Sequence, residues 1–411
     1  MSRKMKDSGV EWLGEIPKGW NVKKGKALYS ITTGKLDANA EEPTGIYPFF
    51  TCSMFPKKIN QYAFDCEALL VAGNGVVGFT QYYKGKFNAY QRTYVLSDFH
   101  NIYPLFLKYY VSNNLKKEVE QSSVGSVIQF IKLADLQNFN IALPEYKEQE
   151  KIADYLEMKC QKLDHIIEKT KNSIEEYKKF KQSITMKAVT QGISNEQVLK
   201  DSGVAWLGNI PESWKIYRIA NLYQERSESG LEELPILTVS INSGVSDREI
   251  ADEEKDRVFV RSEDRTKYKR VYPGDLVYNM MRAWQGAFGA VRVEGMISPA
   301  YVVAKPKDGI EIDSRYMEAL LRTPEATEEM HRYSRGIVDF RLRLYWPEFK
   351  NIRICLPPIE EQKEIADFID RKSQEIDLLI NKKEQFISEL ENYKKSLIYE
   401  YVTGKREVPE L

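Results

Sequence analysis

At 411 residues the chain is long enough for two or three domains, each with its own core. Its 60 basic and 60 acidic side chains cancel, so bulk charge points to no polyanionic partner, and any nucleic-acid binding must rest on a local footprint. No apolar run reaches membrane-spanning length, no signal-peptide pattern opens the chain, and Cys52, Cys66, Cys160 and Cys355 form no C-x-x-C pair, which together lead to the expectation of a cytoplasmic protein with reduced, buried thiols.

The first element is a short leading segment, Asp7-Ser8-Gly9-Val10-Glu11-Trp12-Leu13-Gly14-Glu15-Ile16-Pro17-Lys18-Gly19-Trp20. It returns 194 residues later as Asp201-Ser202-Gly203-Val204-Ala205-Trp206-Leu207-Gly208-Asn209-Ile210-Pro211-Glu212-Ser213-Trp214, with ten of fourteen positions identical. A repeat of that length marks a duplicated domain rather than a solenoid. The first middle segment follows. Short apolar strands are expected at 67–72 and 87–96, an amphipathic helix at 103–120, a glycine turn at Gly125 and a last strand at 139–143. Within it, Gly73-Asn74-Gly75-Val76-Val77-Gly78 matches G-x-G-x-x-G, and Asp98 lies twenty residues past Gly78. The dinucleotide fingerprint requires a helix after the glycines. Here residues 79–86 are β-rich and end in a glycine turn, so a glycine-rich hairpin is the better account.

Next comes Leu143-Pro144-Glu145-Tyr146-Lys147-Glu148-Gln149-Glu150-Lys151-Ile152-Ala153-Asp154, repeated 213 residues later as Leu356-Pro357-Pro358-Ile359-Glu360-Glu361-Gln362-Lys363-Glu364-Ile365-Ala366-Asp367. It opens a long helix whose seam reads Leu156, Cys160, Leu163, Ile167, Thr170, Ile174, Tyr177, Lys181, Ile184 and Ala188, alternating by four and three. The second middle segment is expected to carry strands at 274–278 and 296–304, a helix at 314–333, a turn at Gly336 and a strand at 352–356. The second long helix then repeats the seam without a gap: Ile369, Ser373, Ile376, Ile380, Lys383, Ile387, Leu390, Lys394, Leu397 and Tyr401. Neither helix meets a glycine or proline before Gly192 and Gly404, so each runs for roughly 45 residues, about 65–70 Å. The second helix can cover the seam of the first along its length only by running back, which makes the pair antiparallel.

The fold class expected is therefore α+β: two mixed α/β domains joined by two long antiparallel coiled-coil helices, with a pseudo-twofold internal repeat. The boundaries are 1–143 and 193–356 for the domains, 144–192 and 357–411 for the helices. The side chains expected to pair the helices are Leu163, Ile167, Ile174, Tyr177 and Ile184 against Ile376, Ile380, Ile387, Leu390 and Leu397.

The offsets of 194 and 213 make the second middle 19 residues longer, and its charge differs in kind. Residues 21–142 hold a single arginine, Arg92, whereas 215–355 hold sixteen, so one frame carries two unlike interiors. Candidate nucleic-acid contacts cluster near the glycine turns. In the first middle they are Lys57, Lys58, Asn74, Tyr82, Lys84, Gln91, Arg92 and Ser123; in the second, Arg261, Arg265, Lys267, Arg282, Gln285, Arg335, Arg341 and Arg343. Arginine pairs bidentately with guanine, Asn and Gln with adenine, and lysine serves phosphates. For each side chain alone, a solvated surface charge is the plainer reading. Arg335, Arg341 and Arg343 flank Gly336, while the equivalent first-half turn, 122–129, is polar. Two chemistries at one structural position suit two different sequences.

Catalytic constellations are missing. His100, His165 and His331 are the only histidines, and none has a plausible Ser or Cys partner. No metal-ligand spacing, no Walker A motif and no Asn/Asp-Pro-Pro-aromatic tetrapeptide of amino-methyltransferases occurs, so no cofactor, metal or catalytic residue is expected.

The doubled Asp-Ser-Gly-Val-x-Trp-Leu-Gly-x-Ile-Pro segment and the doubled Leu-Pro-x-x-x-Glu-Gln-x-x-Ile-Ala-Asp helix opening resemble those of type I restriction–modification specificity subunits. The order domain, helix, domain, helix resembles the family over the whole chain. The resemblance implies a subunit without activity of its own, whose two target-recognition domains each bind one half of a split site in double-stranded DNA. It implies helices that form the spacer and dock two methyltransferase subunits, with a restriction–translocase subunit able to join, and no membrane partner. The family has no fixed set of base-contacting residues, so the candidates above rest on chemistry alone. Two other readings stay open: a structural coiled-coil scaffold with two protein-binding heads and no DNA role, which would show no DNA affinity even with its partners, and a self-sufficient nucleic-acid enzyme, against which the missing motifs count.

Overall fold

The computed structural model describes residues 3–122, 130–194, 196–241, 243–249, 267–336 and 342–409. The chain forms two compact units, Met1–Lys171 with Glu384–Leu411, and Asn172–Lys383. Each unit holds one leading segment, one middle segment and half of each long helix.

The leading segment folds the same way twice. Met5–Asp7 pairs antiparallel with Glu15–Pro17, and Leu199–Asp201 with Asn209–Pro211. The Asp7 carboxylate accepts from Gly9 N at 3.0 Å and Ser8 Oγ from Val10 N at 3.1 Å; Asp201 and Ser202 do the same for Gly203 and Val204 at 2.9 and 3.1 Å. Asx and Ser turns of this kind explain the repeated Asp-Ser-Gly. Gly14 and Gly208 close the turns at φ 62° and 61°, left-handed backbone that a side chain would strain. Leu13, Ile16 and Trp20 are buried, as are Leu207, Ile210 and Trp214.

The two repeated motifs then meet. Trp20 Nε1 donates to Glu148 at 3.1 Å and Trp214 Nε1 to Glu361 at 3.0 Å. The neighbouring glutamines are buried and fully engaged. Gln149 donates to the Pro144 and Asn101 carbonyls and accepts from Tyr103 N; Gln362 donates to the Pro357 carbonyl and accepts from Asp313 N. The Glu-Gln pair is thus the clasp that ties leading segment, middle and helix together.

Each middle is a sheet with helices on one face. The first sheet has six strands, in which Ser30–Thr33, Thr93–Ser97, Phe64–Ala72 and Thr80–Ala89 are successive antiparallel neighbours. The second has four, and Tyr223–Arg226, Tyr301–Pro306, Leu276–Asn279 and Phe288–Ala290 follow in the same order. Strand alternation sorts the side chains. Leu69, Val71 and Leu96 pack on Phe106 and Tyr110 of the helix Pro104–Ser122, while Ala68, Leu70 and Val95 turn to Phe50 and Phe87. In the second unit Leu276 and Tyr278 join the helical core, and Val277 joins Val271 and Val303 on the other face.

Four expected elements are corrected. The strand expected at 87–96 is two, because Tyr90–Arg92 make a turn between Thr80–Ala89 and Thr93–Ser97. Gly85 ends nothing; the strand runs through it. The strand expected at 296–304 breaks around Pro299 into Gly295–Ile297 and Tyr301–Pro306. The helix expected at 314–333 is split into Ser314–Leu321 and Pro324–Tyr333, because Thr323 caps the second helix and Pro324 can only begin one.

The long helices are Tyr146–Gln191 and Ile359–Val402. Every expected seam position is buried or half-buried. In the first unit Lys394 Nζ meets Asp164 at 2.6 Å, and in the second Lys181 Nζ meets Asp377 at 2.7 Å. The position numbers of both pairs sum to 558, the signature of antiparallel helices in constant register. The seam lysines are therefore partnered at the edge of the seam, each by the other helix. Ion pairs this exposed add little stability, but any heptad slip would break both. Each helix stops before a left-handed glycine, Gly192 or Gly404; a side chain at Gly404 would also collide with Pro17.

Ile167 is 8% exposed in this seam, so Ile167→Asp buries an unpaired carboxylate. It should cost about 3–5 kcal/mol in urea denaturation. Lys169→Asp, on the solvated face, should stay within about 0.5 kcal/mol of the parent. Equal midpoints for the two variants would show that the seam does not pack.

Candidate nucleic-acid interface

In the first unit the turn at 73–79 joins Phe64–Ala72 to Thr80–Ala89, and three other segments are tied to it. Gly73 N donates to the Arg92 carbonyl at 3.0 Å, Val76 N to the Cys52 carbonyl at 3.3 Å, and Ile131 N to the Gly73 carbonyl at 2.8 Å. Gly73 has no room for a side chain, since a Cβ would stand 2.6 Å from the Arg92 carbonyl oxygen. These bonds bring Asn74, Gln91 and Arg92 to one surface. Arg92 and Gln91 are exposed, and Gln91 Nε2 reaches the Asp37 carboxylate at 3.3 Å. Lys57 and Lys58 follow the 51–56 loop; Lys57 is held by Glu41 at 2.8 Å, and Lys58 is exposed.

Tyr82 and Lys84 are not brought to this surface. The Tyr82 ring packs against the helical core, and its hydroxyl donates to Glu67 at 2.6 Å. Burial, then the Glu67 carboxylate, pushes that hydroxyl up to about 12, so it is fixed as an internal donor. Lys84 lies farther along the strand, opposite Glu67. Sequence reasoning missed Met54, Phe55, Val76 and Phe130, which are exposed around the same turn. Isolated apolar residues in a loop carry no periodicity, so only their exposure reveals them.

The second unit repeats the arrangement with different side chains. Its turn runs from Asn279 to Phe288, where Asn279 Oδ1 accepts from Met281 N at 3.0 Å. Leu344 N donates to the Met280 carbonyl at 2.8 Å, the counterpart of the Ile131 to Gly73 bond, and Ile131 and Leu344 are 213 residues apart. Arg335 and Arg343 form a reciprocal backbone bridge, at 2.9 Å in both directions, beside that bond. Arg282, Gln285, Arg335 and Arg343 are thereby gathered, all exposed. Glu348 holds the Arg335 guanidinium at 2.6 Å, which aims it without burying it. Trp284 lies edge-on to His331, ring centroids 5.3 Å apart, and donates to the Met281 carbonyl. Lys267 is exposed at the head of Lys269–Val271, a strand that pairs with Gly295–Ile297 and not with the turn. Ser123, Arg261, Arg265 and Arg341, and the turn at Gly125, lie outside the described residues.

Among the described residues no group of three or more His, Cys, Asp or Glu side chains could hold a metal ion, and no helix is long and apolar enough to cross a membrane. What the two surfaces offer is hydrogen-bond donors, cations and apolar contacts on braced turns, the means of reading an extended polar ligand.

The family model for the type I restriction modification DNA specificity domain matches residues 17–196 and 264–389. The chain belongs to this family. It is 27% identical over 381 residues to the type I restriction enzyme EcoDI specificity subunit of Escherichia coli, covering 87% of this chain and 82% of that one. It is 25% identical over 300 residues to the type I restriction enzyme MjaVIII specificity subunit of Methanocaldococcus jannaschii, covering 67% and 64%. Among solved structures, a chain from a study of complex assembly and conformational transition of the type I R-M system superposes with a TM-score of 0.65 at 14% identity, covering 95% of this chain and 99% of that one. That likeness supports the fold: two mixed helix-and-sheet domains with two long antiparallel helices.

In this chain, the strand Leu276–Asn279 that leads into the second unit's turn opens at a buried carboxylate. Asp275 is 1% exposed, accepts from Tyr272 N at 2.9 Å and faces Arg226. Burial pushes its carboxyl up to about 6, above its unfolded value. A raised carboxyl favours the folded state while protonated, and that contribution is lost as pH rises through about 6. Lowering pH from 7 to 5 should therefore stabilise the parent relative to Asp275→Asn by about 1 kcal/mol. Parallel stability–pH curves for the two proteins would refute it.

Proposed function

We propose that this chain supplies DNA sequence specificity to a type I restriction–modification complex, reading a bipartite site with one half-site per unit. It is non-catalytic: it binds no methyl-donor cofactor and modifies no DNA alone. The observation that carries the reading is the pair of equivalent turns, held by the same backbone bond but dressed unlike: amide and apolar side chains with Arg92 in one unit, Arg282, Arg335 and Arg343 with Gln285 in the other. The residues proposed to face DNA are Asn74, Gln91, Arg92, Lys57 and Lys58 in the first unit and Arg282, Gln285, Arg335 and Arg343 in the second. Lys267, Ser123, Arg261, Arg265 and Arg341 are further candidates outside the two turn clusters or outside the described residues.

Methylation-aware sequencing of DNA from cells with and without the gene should show one split motif lost on deletion. Exchanging 215–355 for the corresponding segment of another family member should alter one half of that motif. A change in both halves, or an unchanged methylome, contradicts the reading. Arg335→Ala should relax selectivity at about one base pair, by about 1–3 kcal/mol if the contact is bidentate. A loss uniform across sequences would make it a phosphate contact.

The long helices are proposed to dock two methyltransferase subunits, and a restriction–translocase subunit can join. Supporting this, exposed apolar residues sit beside the seam at heptad spacing: Ile166 and Phe180 on the first helix, Leu379, Phe386 and Tyr393 on the second. Ile166 and Tyr393 belong to the first unit, Phe180 and Leu379 to the second, so each unit carries its own patch. Phe180→Asp with Tyr393→Asp should leave the unfolding midpoint of the chain unchanged and abolish co-purification of the methyltransferase subunits. Intact assembly of that double variant would place docking elsewhere.

A further inference from the structure

The first unit's surface carries an apolar group that the hydrogen-bonding candidates do not account for. Phe55 is 79% exposed, Met54 56%, Phe130 54% and Val76 46%. Met54, Phe55 and Val76 stand on backbone braced by four bonds. Thr51 and Ser53 hydroxyls are 2.8 Å apart, Ser53 Oγ donates to the Phe55 carbonyl at 2.8 Å, Gln81 Nε2 donates to the Ser53 carbonyl at 3.2 Å, and Val76 N donates to the Cys52 carbonyl. The loop is thus fixed by polar bonds while its largest apolar side chains face solvent. A cluster of this kind marks a contact surface. Asn74, Arg92 and Lys132 border it, and all are cations or amides, which suits an anionic partner with apolar points on it.

Resting on the DNA reading proposed above, we infer that Phe55, with Met54, recognises the 5-methyl group of thymine in the major groove of the first half-site. Among major-groove base edges only thymine offers an apolar group, and apolar side chains are its readers. The second unit's turn presents one exposed methionine, Met281, among Arg282, Arg335 and Arg343, whose chemistry pairs with guanine. The two halves of the site should therefore differ in kind: the first selected in part by methyl contact, the second by charged hydrogen bonding.

The test uses the complete methyltransferase complex and its own duplex, with the half-sites assigned by the segment exchange. Every thymine of the first half-site is replaced by deoxyuracil, which removes methyl groups and keeps the pairing. Binding of the parent complex should weaken about three- to fivefold per contacted methyl. The Phe55→Ala complex should bind thymine duplex more weakly and lose most of its sensitivity to the replacement. The same replacement in the second half-site should affect parent and variant alike. A thymine-to-uracil ratio unchanged by both Phe55→Ala and Met54→Ala overturns the inference. So does a first half-site with no thymine, or a Phe55→Ala loss equal on both duplexes, which would indicate a wedge between base steps. An assembled complex with no affinity for any duplex would instead remove the DNA reading itself.

Discussion

Neither unit closes its core with contiguous chain. In the first, Leu397, Ile398, Tyr401 and Val402, from the end of the second long helix, lie in one cluster with Leu13, Trp20 and Leu156. In the second, Ala188 and Val189, from the end of the first helix, lie in one cluster with Leu207, Trp214 and Ile365. The Tyr316 hydroxyl seals that join, donating to the carbonyls of Val189 and Cys355 at 3.0 and 3.2 Å. In the first unit Tyr401 packs on Tyr155, ring centroids 4.8 Å apart, and its hydroxyl donates to the Tyr155 hydroxyl at 3.3 Å. Antiparallel pairing follows from this requirement. A parallel second helix would bring its C-terminal apolar turn to the wrong unit and leave both cores open to water, a loss on the scale of several buried side chains at about 1.5–3 kcal/mol each.

The same requirement explains what repeats in the sequence. Trp20 and Trp214 donate to Glu148 and Glu361, and the buried side chains of Gln149 and Gln362 accept from the backbone of Tyr103 and Asp313. Removing a buried partner costs more than the bond contributes, because the group left behind is desolvated. The doubled motifs are therefore the residues at which leading segment, middle and helix are joined. The Lys181–Asp377 and Lys394–Asp164 pairs add register rather than stability, since both are largely exposed.

The seam was legible because heptad periodicity is a local pattern written over ten positions, and the clasp residues stood out because they are doubled, although only the structure shows that Trp20 and Trp214 meet Glu148 and Glu361. The order of strands was not. It depends on non-local pairing, and the second sheet's neighbours are up to 83 residues apart along the chain, as Tyr223 and Pro306 are. The break at Thr323-Pro324 was readable in principle, since Thr and Pro are start signals for a helix, but the apolar pattern on either side overrode them. At the candidate interface, Asn74, Gln91, Arg92, Arg282, Gln285, Arg335 and Arg343 could be proposed from sequence because glycine turns and arginine clusters are local. Tyr82 was misleading because nothing in its neighbourhood reveals that Glu67 stands across the strand pair. Phe55 and Met54 gave no signal at all, since a buried and an exposed phenylalanine read alike in sequence.

Frame and tips also differ in what a substitution costs. Asn74, Arg92, Arg282 and Gln285 contribute no side chain to either core, and their turns are held by backbone bonds to Arg92, Cys52, Gly73 and Met280 that almost any side chain at those four positions would leave intact, though Gly73 itself admits none. Surface changes of that kind lie within about 0.5 kcal/mol. A change at Trp20 or Gln149 opens a cavity or strands a buried polar group, at several times that cost. The chain can thus hold one scaffold in both units while the two tips carry unlike chemistry, because the backbone bonds that position the tips are indifferent to the side chains they present.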